Sequence, residues 1–185
     1  MTDWPEPDWS EIIARYGPLV WKTASRLLSH EADAADCFQE TFVAAWNASV
    51  REPIVHWPGF LKSVATMNAL KRLRERYRQP RDGLPDVPTT CADTADSHER
   101  TESTELAENL SQALAELDRR QAEVFCLICL EGASYADAAR YLGISENNVG
   151  VILTRARQRL RVRLKEFSPF RNQKARAPSI ESEPR

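Results

Sequence analysis

Residues 134–157 dictate two helical segments around a forced turn, and no other stretch constrains the fold as tightly. Ala138 and Ala139 are small enough for one helix to cross another closely, and Gly143 supplies the left-handed residue that ends the first segment. Ile144 plugs the core and Val149 anchors the second segment. Ser134, with Asp137 three residues on, has the form of a capping box, and Ser145 caps a long final helix expected to end near Phe167. A helix-turn-helix of this kind lays its second helix in a major groove, with its N-terminal residues at base edges. A tight helical hairpin serving only as structure is the plain alternative. The adjoining run of Arg155, Arg157, Arg159, Arg161, Arg163 and Lys165 favours nucleic acid.

The rest of the chain is patterned for helices as well. Leu106, Leu110, Leu114 and Leu117 recur at spacings of four, four and three. Asp118 with Gln121 predicts a second capping box, opening a helix through Val124, Phe125 and Ile128 to a C-cap at Gly132. In the first block, Ile12, Ile13, Tyr16, Leu19, Val20, Leu27 and Leu28 recur at near-helical spacing, with Ser10 as N-cap. Pro18 interrupts them and predicts a kink or a late helix start. A helix over 31–47 comes next, with Phe38, Phe42, Ala45 and Trp46 as its apolar side. Pro53 and Pro58 then fence a turn before a helix over 59–78. No alternating strand pattern is present. The expected fold is all-α: two small helical domains (10–78 and 106–167) joined by a flexible acidic linker (79–105), the C-terminal one a helix-turn-helix. The linker, with Pro80, Pro85 and Pro88 among Asp, Thr and Ser, holds too little apolar surface to offset its ordering entropy. The tail 168–185 reads the same way.

A net charge of −2 argues against a nucleic-acid binder only until it is divided along the chain. Residues 79–105 carry two basic against seven acidic side chains, whereas 71–78 read Lys-Arg-Leu-Arg-Glu-Arg-Tyr-Arg. Two basic stretches joined by an acidic segment are what the overall balance hides. Trp57, Phe60 and Tyr77 beside the first stretch supply aromatic faces on which unpaired bases stack.

Other chemistries find little support. Cys37, Cys91, Cys126 and Cys129 are too few and scattered for a disulfide scaffold. The Cys126–Cys129 pair sits in an apolar run where cysteine behaves as a small hydrophobe, and no second pair or His cluster completes a metal site. No cofactor or metal is expected, and no paired nucleophile and base points to an enzyme. The start lacks the form of a secretion signal and no apolar run reaches membrane-span length, so a cytoplasmic chain without membrane insertion is expected.

At this point the chain resembles the extracytoplasmic-function (ECF) subgroup of the sigma-70 family. The likeness covers nearly all of 10–166 in the family's order. Ala35-Asp36-Cys37-Phe38-Gln39-Glu40-Thr41-Phe42 is similar to the family's polymerase-binding helix, and 114–125 is similar to the opening of its second domain. The resemblance implies a sigma factor, without catalysis of its own, that binds core RNA polymerase and directs promoter recognition, melting and initiation. It implies that Asp36, Gln39, Glu40 and Val43 bind the clamp helices of the beta-prime subunit. Trp57, Phe60, Lys62, Lys71, Arg72, Arg74, Arg76 and Arg78 would capture the melted −10 element with one base flipped into a pocket. Ser145, Asn147, Asn148, Val151, Thr154, Arg155 and Arg157 would read the −35 duplex. An anti-sigma factor is a further implied partner.

The chain departs from the family pattern in two places. Lys71 stands where many relatives have Asp, which bears on base preference at −10. Gly150, Val151 and Ile152 stand where relatives place Arg, Lys or Ser, implying fewer phosphate contacts and a shallower salt dependence. The alternative function is an ordinary helix-turn-helix regulator that binds duplex DNA without polymerase. It accounts for 134–165 but leaves the 36–40 helix and the 57–78 block without a purpose.

Overall fold

The computed structural model describes residues 7–78 and 97–166, with side chains described over 7–78 and 105–165. The expected linker residues 79–96, Phe167 and the expected tail 168–185 lie outside the described residues. All regular elements there are helical: α1 Trp9–Leu27, α2 Glu31–Ser49, α3 Trp57–Arg78, α4 Ser97–Glu116, α5 Arg119–Phe125, α6 Tyr135–Leu142 and α7 Glu146–Glu166. α4 therefore begins inside the segment expected as linker. No described helix is long and apolar enough to cross a membrane.

Several local expectations hold and others are corrected. Ser134 Oγ accepts from Asp137 N at 3.0 Å, Ser145 Oγ accepts from Asn148 N at 3.3 Å, and Gly132 and Gly143 take φ of +68° and +64°. α1, however, is capped by Asp8, whose carboxylate accepts from Glu11 N at 3.1 Å, and Ser10 lies inside the helix. Helix α1 also runs on through Pro18. That ring stands on the exposed face, and Ala14, whose carbonyl loses its bond, is exposed to water too. Asp118 makes no side-chain cap bond; its carboxylate is drawn instead to Arg159 Nη1 at 2.6 Å, and Gln121 Oε1 is buried without a hydrogen-bond partner among the described residues.

Each block has its own core. Ile12, Val20, Phe42, Ala45, Leu61 and Ala65 join α1, α2 and α3. Val124, Leu127, Ala138, Ala139, Leu142, Val149 and Leu153 close the helix-turn-helix, as its register predicts. A third cluster spans both blocks, with Leu27, Leu70 and Leu73 packed among Leu114, Leu117, Cys126 and Leu160. Burying a Leu stabilises by about 1.5–3 kcal/mol, so this shared cluster holds the blocks together.

A π-helical turn over Cys126–Leu130 sets the polar part of the same contact. A π turn carries one more residue than an α turn and rotates the residues after it. Glu131 thereby meets the first block: its carboxylate accepts from Thr23 Oγ1 at 3.0 Å and Arg26 Nη1 at 3.1 Å, and its carbonyl accepts from Lys62 Nζ at 3.1 Å. Arg26 Nη1 also donates to Leu130 O.

Candidate polymerase and nucleic-acid interfaces

α2 is divided cleanly between an inner and an outer face. Cys37, Thr41, Phe42 and Ala45 are buried, while Asp36, Gln39, Glu40 and Val43 are exposed together. At about 100° per residue these four positions fall on one side, one turn apart. Trp46, expected on the apolar inner side, is instead turned outward, because Ala45 takes the inward position beside Phe42. Val43, Trp46 and Val50 are 58%, 54% and 52% exposed, which gives the carboxylate face an apolar border. An uncovered apolar strip rimmed by charge is a usual feature of a protein-binding surface.

The basic end of α3 does not form one row. Positions 72 and 76 lie within about 40° of each other, and 71, 74 and 78 cluster on roughly the opposite side. Arg72 faces α2, donating from Nη1 to Asp36 Oδ2 at 3.2 Å and from Nη2 to Glu40 Oε1 at 2.6 Å. Burial lowers the Arg72 pKa, but the Glu40 and Asp36 charges outweigh it and leave it raised. Lys71, Arg74 and Arg78 line a groove with Asn68 and Glu75 on one wall and Leu117 to Arg119 on the other. Arg74 is half-buried there, and its Nη2 has no hydrogen-bond partner among the described residues. Burial pushes its pKa down, against the opposing pull of Glu123. Glu123 itself is buried and held by Arg119 Nε at 2.8 Å and Arg120 Nη1 at 3.3 Å.

The aromatic residues divide likewise. Trp57 stacks edge-on against Trp9, centroids 5.6 Å apart, and is half-buried in the core of the first block. Phe60 lines an open cavity of about 400 Å³ with Pro53, Ile54, Val55, His56, Val64 and Met67. These walls are mostly apolar. Arg140 and Tyr141 of α6 form its remaining side. Lys62 is not free for a strand in this conformation, since it is bound to Glu131.

On α7 the positions read for duplex contact emerge together. Ser145, Asn147, Asn148, Val151, Thr154, Arg155 and Arg157 are all exposed, while Val149, Leu153, Ala156 and Leu160 face inward. A shallow concavity on this face contains Asn147, Gly150, Val151, Thr154 and Arg155, and also Tyr135 from α6. Tyr135 was not singled out in the sequence, although its place directly after the Ser134 cap marks it as a first-turn residue. Thr154 Oγ1 donates to Gly150 O at 2.9 Å, and Arg157 Nη2 lies 3.5 Å from Cys129 Sγ. No metal-holding cluster of His, Cys, Asp or Glu forms among the described residues. Cys126 is buried and Cys129 exposed.

Two family models together match most of the chain. Residues 12–79 match the model of sigma-70 region 2, and residues 107–160 match that of sigma-70 region 4. The chain is 30% identical over 165 residues to the ECF RNA polymerase sigma factor SigE of Mycolicibacterium smegmatis, covering 88% of this chain and 63% of that one. It is 31% identical over 160 residues to the sigma factor CnrH of Cupriavidus metallidurans, covering 81% of this chain and 83% of the relative. The solved structure of CnrH with the cytosolic domain of CnrY superposes with a TM-score of 0.56 at 27% identity, over 86% of this chain and 88% of that one. The sigma factor RpoE of Bartonella quintana, solved with the anti-sigma factor NepR, shares the fold with a TM-score of 0.54 at 23% identity, over 85% and 97% of the two chains.

Proposed function

The chain belongs to the sigma-70 family of RNA polymerase sigma factors, in its ECF subgroup, and on that premise we propose how its surfaces divide the work of transcription initiation. It is a non-catalytic factor. The α2 face of Asp36, Gln39, Glu40 and Val43 binds the beta-prime clamp helices of core polymerase, with Trp46 and Val50 extending the contact. The cavity beside Phe60 takes a base flipped out of the −10 element, and Lys71, Arg74 and Arg78 hold the strand. Opening duplex costs a few kcal/mol per unstacked step, and selective binding of the single strand offsets it. The exposed N-terminal half of α7 reads the −35 duplex, with Asn147 and Asn148 suited to adenine edges.

The observation that carries this reading is the order of the surfaces. A carboxylate face precedes a cavity roomy enough to admit a base, and an exposed recognition helix comes after both, in the family's sequence of regions. An ordinary regulator has no use for the first two. Because Arg140 and Tyr141 close one side of the cavity, α6 withdraws when promoter DNA enters. An anti-sigma factor fits as a competing partner, since CnrH and RpoE were each solved with a protein bound.

A binding titration with core polymerase tests the α2 assignment. Asp36→Ala with Gln39→Ala weakens binding while the helical fold persists; unchanged affinity in a folded double mutant overturns it.

A further inference from the structure

Arg72 belongs by sequence to the basic run of α3, yet it is turned about 100–160° around that helix from Lys71, Arg74 and Arg78, toward α2. Its guanidinium spans two carboxylates one helical turn apart on α2, taking Oδ2 of Asp36 and Oε1 of Glu40. Among the described residues these bonds engage one oxygen of each carboxylate. The Arg72 side chain is only 20% exposed, whereas those of Asp36 and Glu40 are 60% and 46% exposed. The cation therefore lies beneath and the carboxylates project above it.

Without that fork, two like charges at i and i+4 repel each other, and two flexible side chains spread over their rotamers. Ordering them at an interface then weakens binding. Arginine suits the task because its planar donors fix two acceptors at once, which a lysine point charge does not.

Building on the polymerase-binding reading of α2, we propose that Arg72 is a positioning residue of that face: it holds Asp36 and Glu40 in register for a partner's cations and takes no part in capturing the −10 strand.

The test is a titration of core polymerase with labelled full-length protein, comparing wild type, Arg72→Gln, Arg72→Lys and the Asp36→Ala/Gln39→Ala pair. Arg72→Gln weakens binding about tenfold, and Arg72→Lys recovers part of the loss. In an Asp36→Asn/Glu40→Gln background, Arg72→Gln adds nothing further, because its partners are gone. Circular dichroism confirms that each variant is folded, and Arg72→Lys serves alone if Arg72→Gln is not. Loss with Asp36→Ala/Gln39→Ala but none with either Arg72 variant overturns the proposal and spares the α2 reading. An equal loss in the Asp36→Asn/Glu40→Gln background also overturns it, since Arg72 then acts through the fold. No loss in any variant removes the α2 reading itself.

Discussion

Tyr141 and Gly59 depend on each other's shape: the Tyr141 hydroxyl fills the place where a Cβ on residue 59 would stand, and it lies 3.3 Å from His56 Nδ1. The His56 nitrogen in turn accepts from Gly59 N at 3.2 Å. A tyrosine of the helix-turn-helix thus seats on the first turn of α3, beside the cavity assigned to a promoter base.

Gly59→Ala is therefore expected to drive the Tyr141 ring from its seat on α3 while both blocks stay folded. Denaturant unfolding reads this as a loss of stability with unchanged helical content. In a Tyr141→Ala background the same substitution should cost little, because the ring it displaces is gone. An equal loss in both backgrounds contradicts the close approach.

Glu131 is the polar counterpart of that contact, with a side chain only 4% exposed. Removing its carboxylate as Glu131→Ala takes the acceptor from Thr23 and the ion-pair partner from Arg26 and Lys62, which keep the backbone carbonyls of Leu130 and residue 131. Arg26 and Lys62 are about one-third exposed and regain water, so the loss is limited to about 1–2 kcal/mol. Denaturant unfolding measures it. A double-mutant cycle with Arg26→Ala should show non-additive effects, and additive ones contradict a direct pairing.

These two contacts mark the limit of what the sequence makes legible. Caps and turns such as Ser134, Ser145 and Gly143 act on their own neighbours, so a short window of sequence contains the cause. Glu131 and Arg26 are 105 residues apart, and nothing local to either names the other. Asp118 shows how a distant partner overrides a local rule, since Arg159 takes the carboxylate that a capping box would use. The arginines of α3 look like one strip when read in line. Helical rotation sends Arg72 to α2 and Arg74 toward α5, and it turns Trp46 outward from the side on which a linear reading puts it. At α1 the cap lies two residues before Ser10 because Asp8 and Glu11 already form the Asp-x-x-Glu pair, and Trp9 reaches the core.

Ser134→Ala tests the entry to the helix-turn-helix. Its hydroxyl caps α6 and is the largest cause holding the Asp137 carboxyl below its ordinary value of 3.8, against desolvation and with smaller help from the Arg140 charge. A depressed carboxylate pKa adds stability that is present above the unfolded value and lost as pH falls through the folded one. Ser134→Ala should cost about 1 kcal/mol at neutral pH. The difference from wild type should shrink below about pH 4. A difference independent of pH contradicts the Asp137 link.

Thiol reactivity separates the exposed Cys129 from the buried Cys37 and Cys126. Burial pushes the Cys37 thiol up to about 11, and burial raises Cys126 further still, whereas Cys129 is exposed. Mass-resolved alkylation should modify Cys129 in the native protein and reach Cys37 and Cys126 only on unfolding. Native modification of Cys126 contradicts the shared core.

Run-off transcription on genomic DNA, with purified core polymerase from a related bacterium and with or without this protein, tests the central claim most directly. A sigma factor gives discrete new start sites that depend on the protein, with shared upstream elements near −10 and −35, and this is the predicted result. No new starts, together with site-specific binding of duplex by the protein alone, would contradict it and identify an ordinary helix-turn-helix regulator.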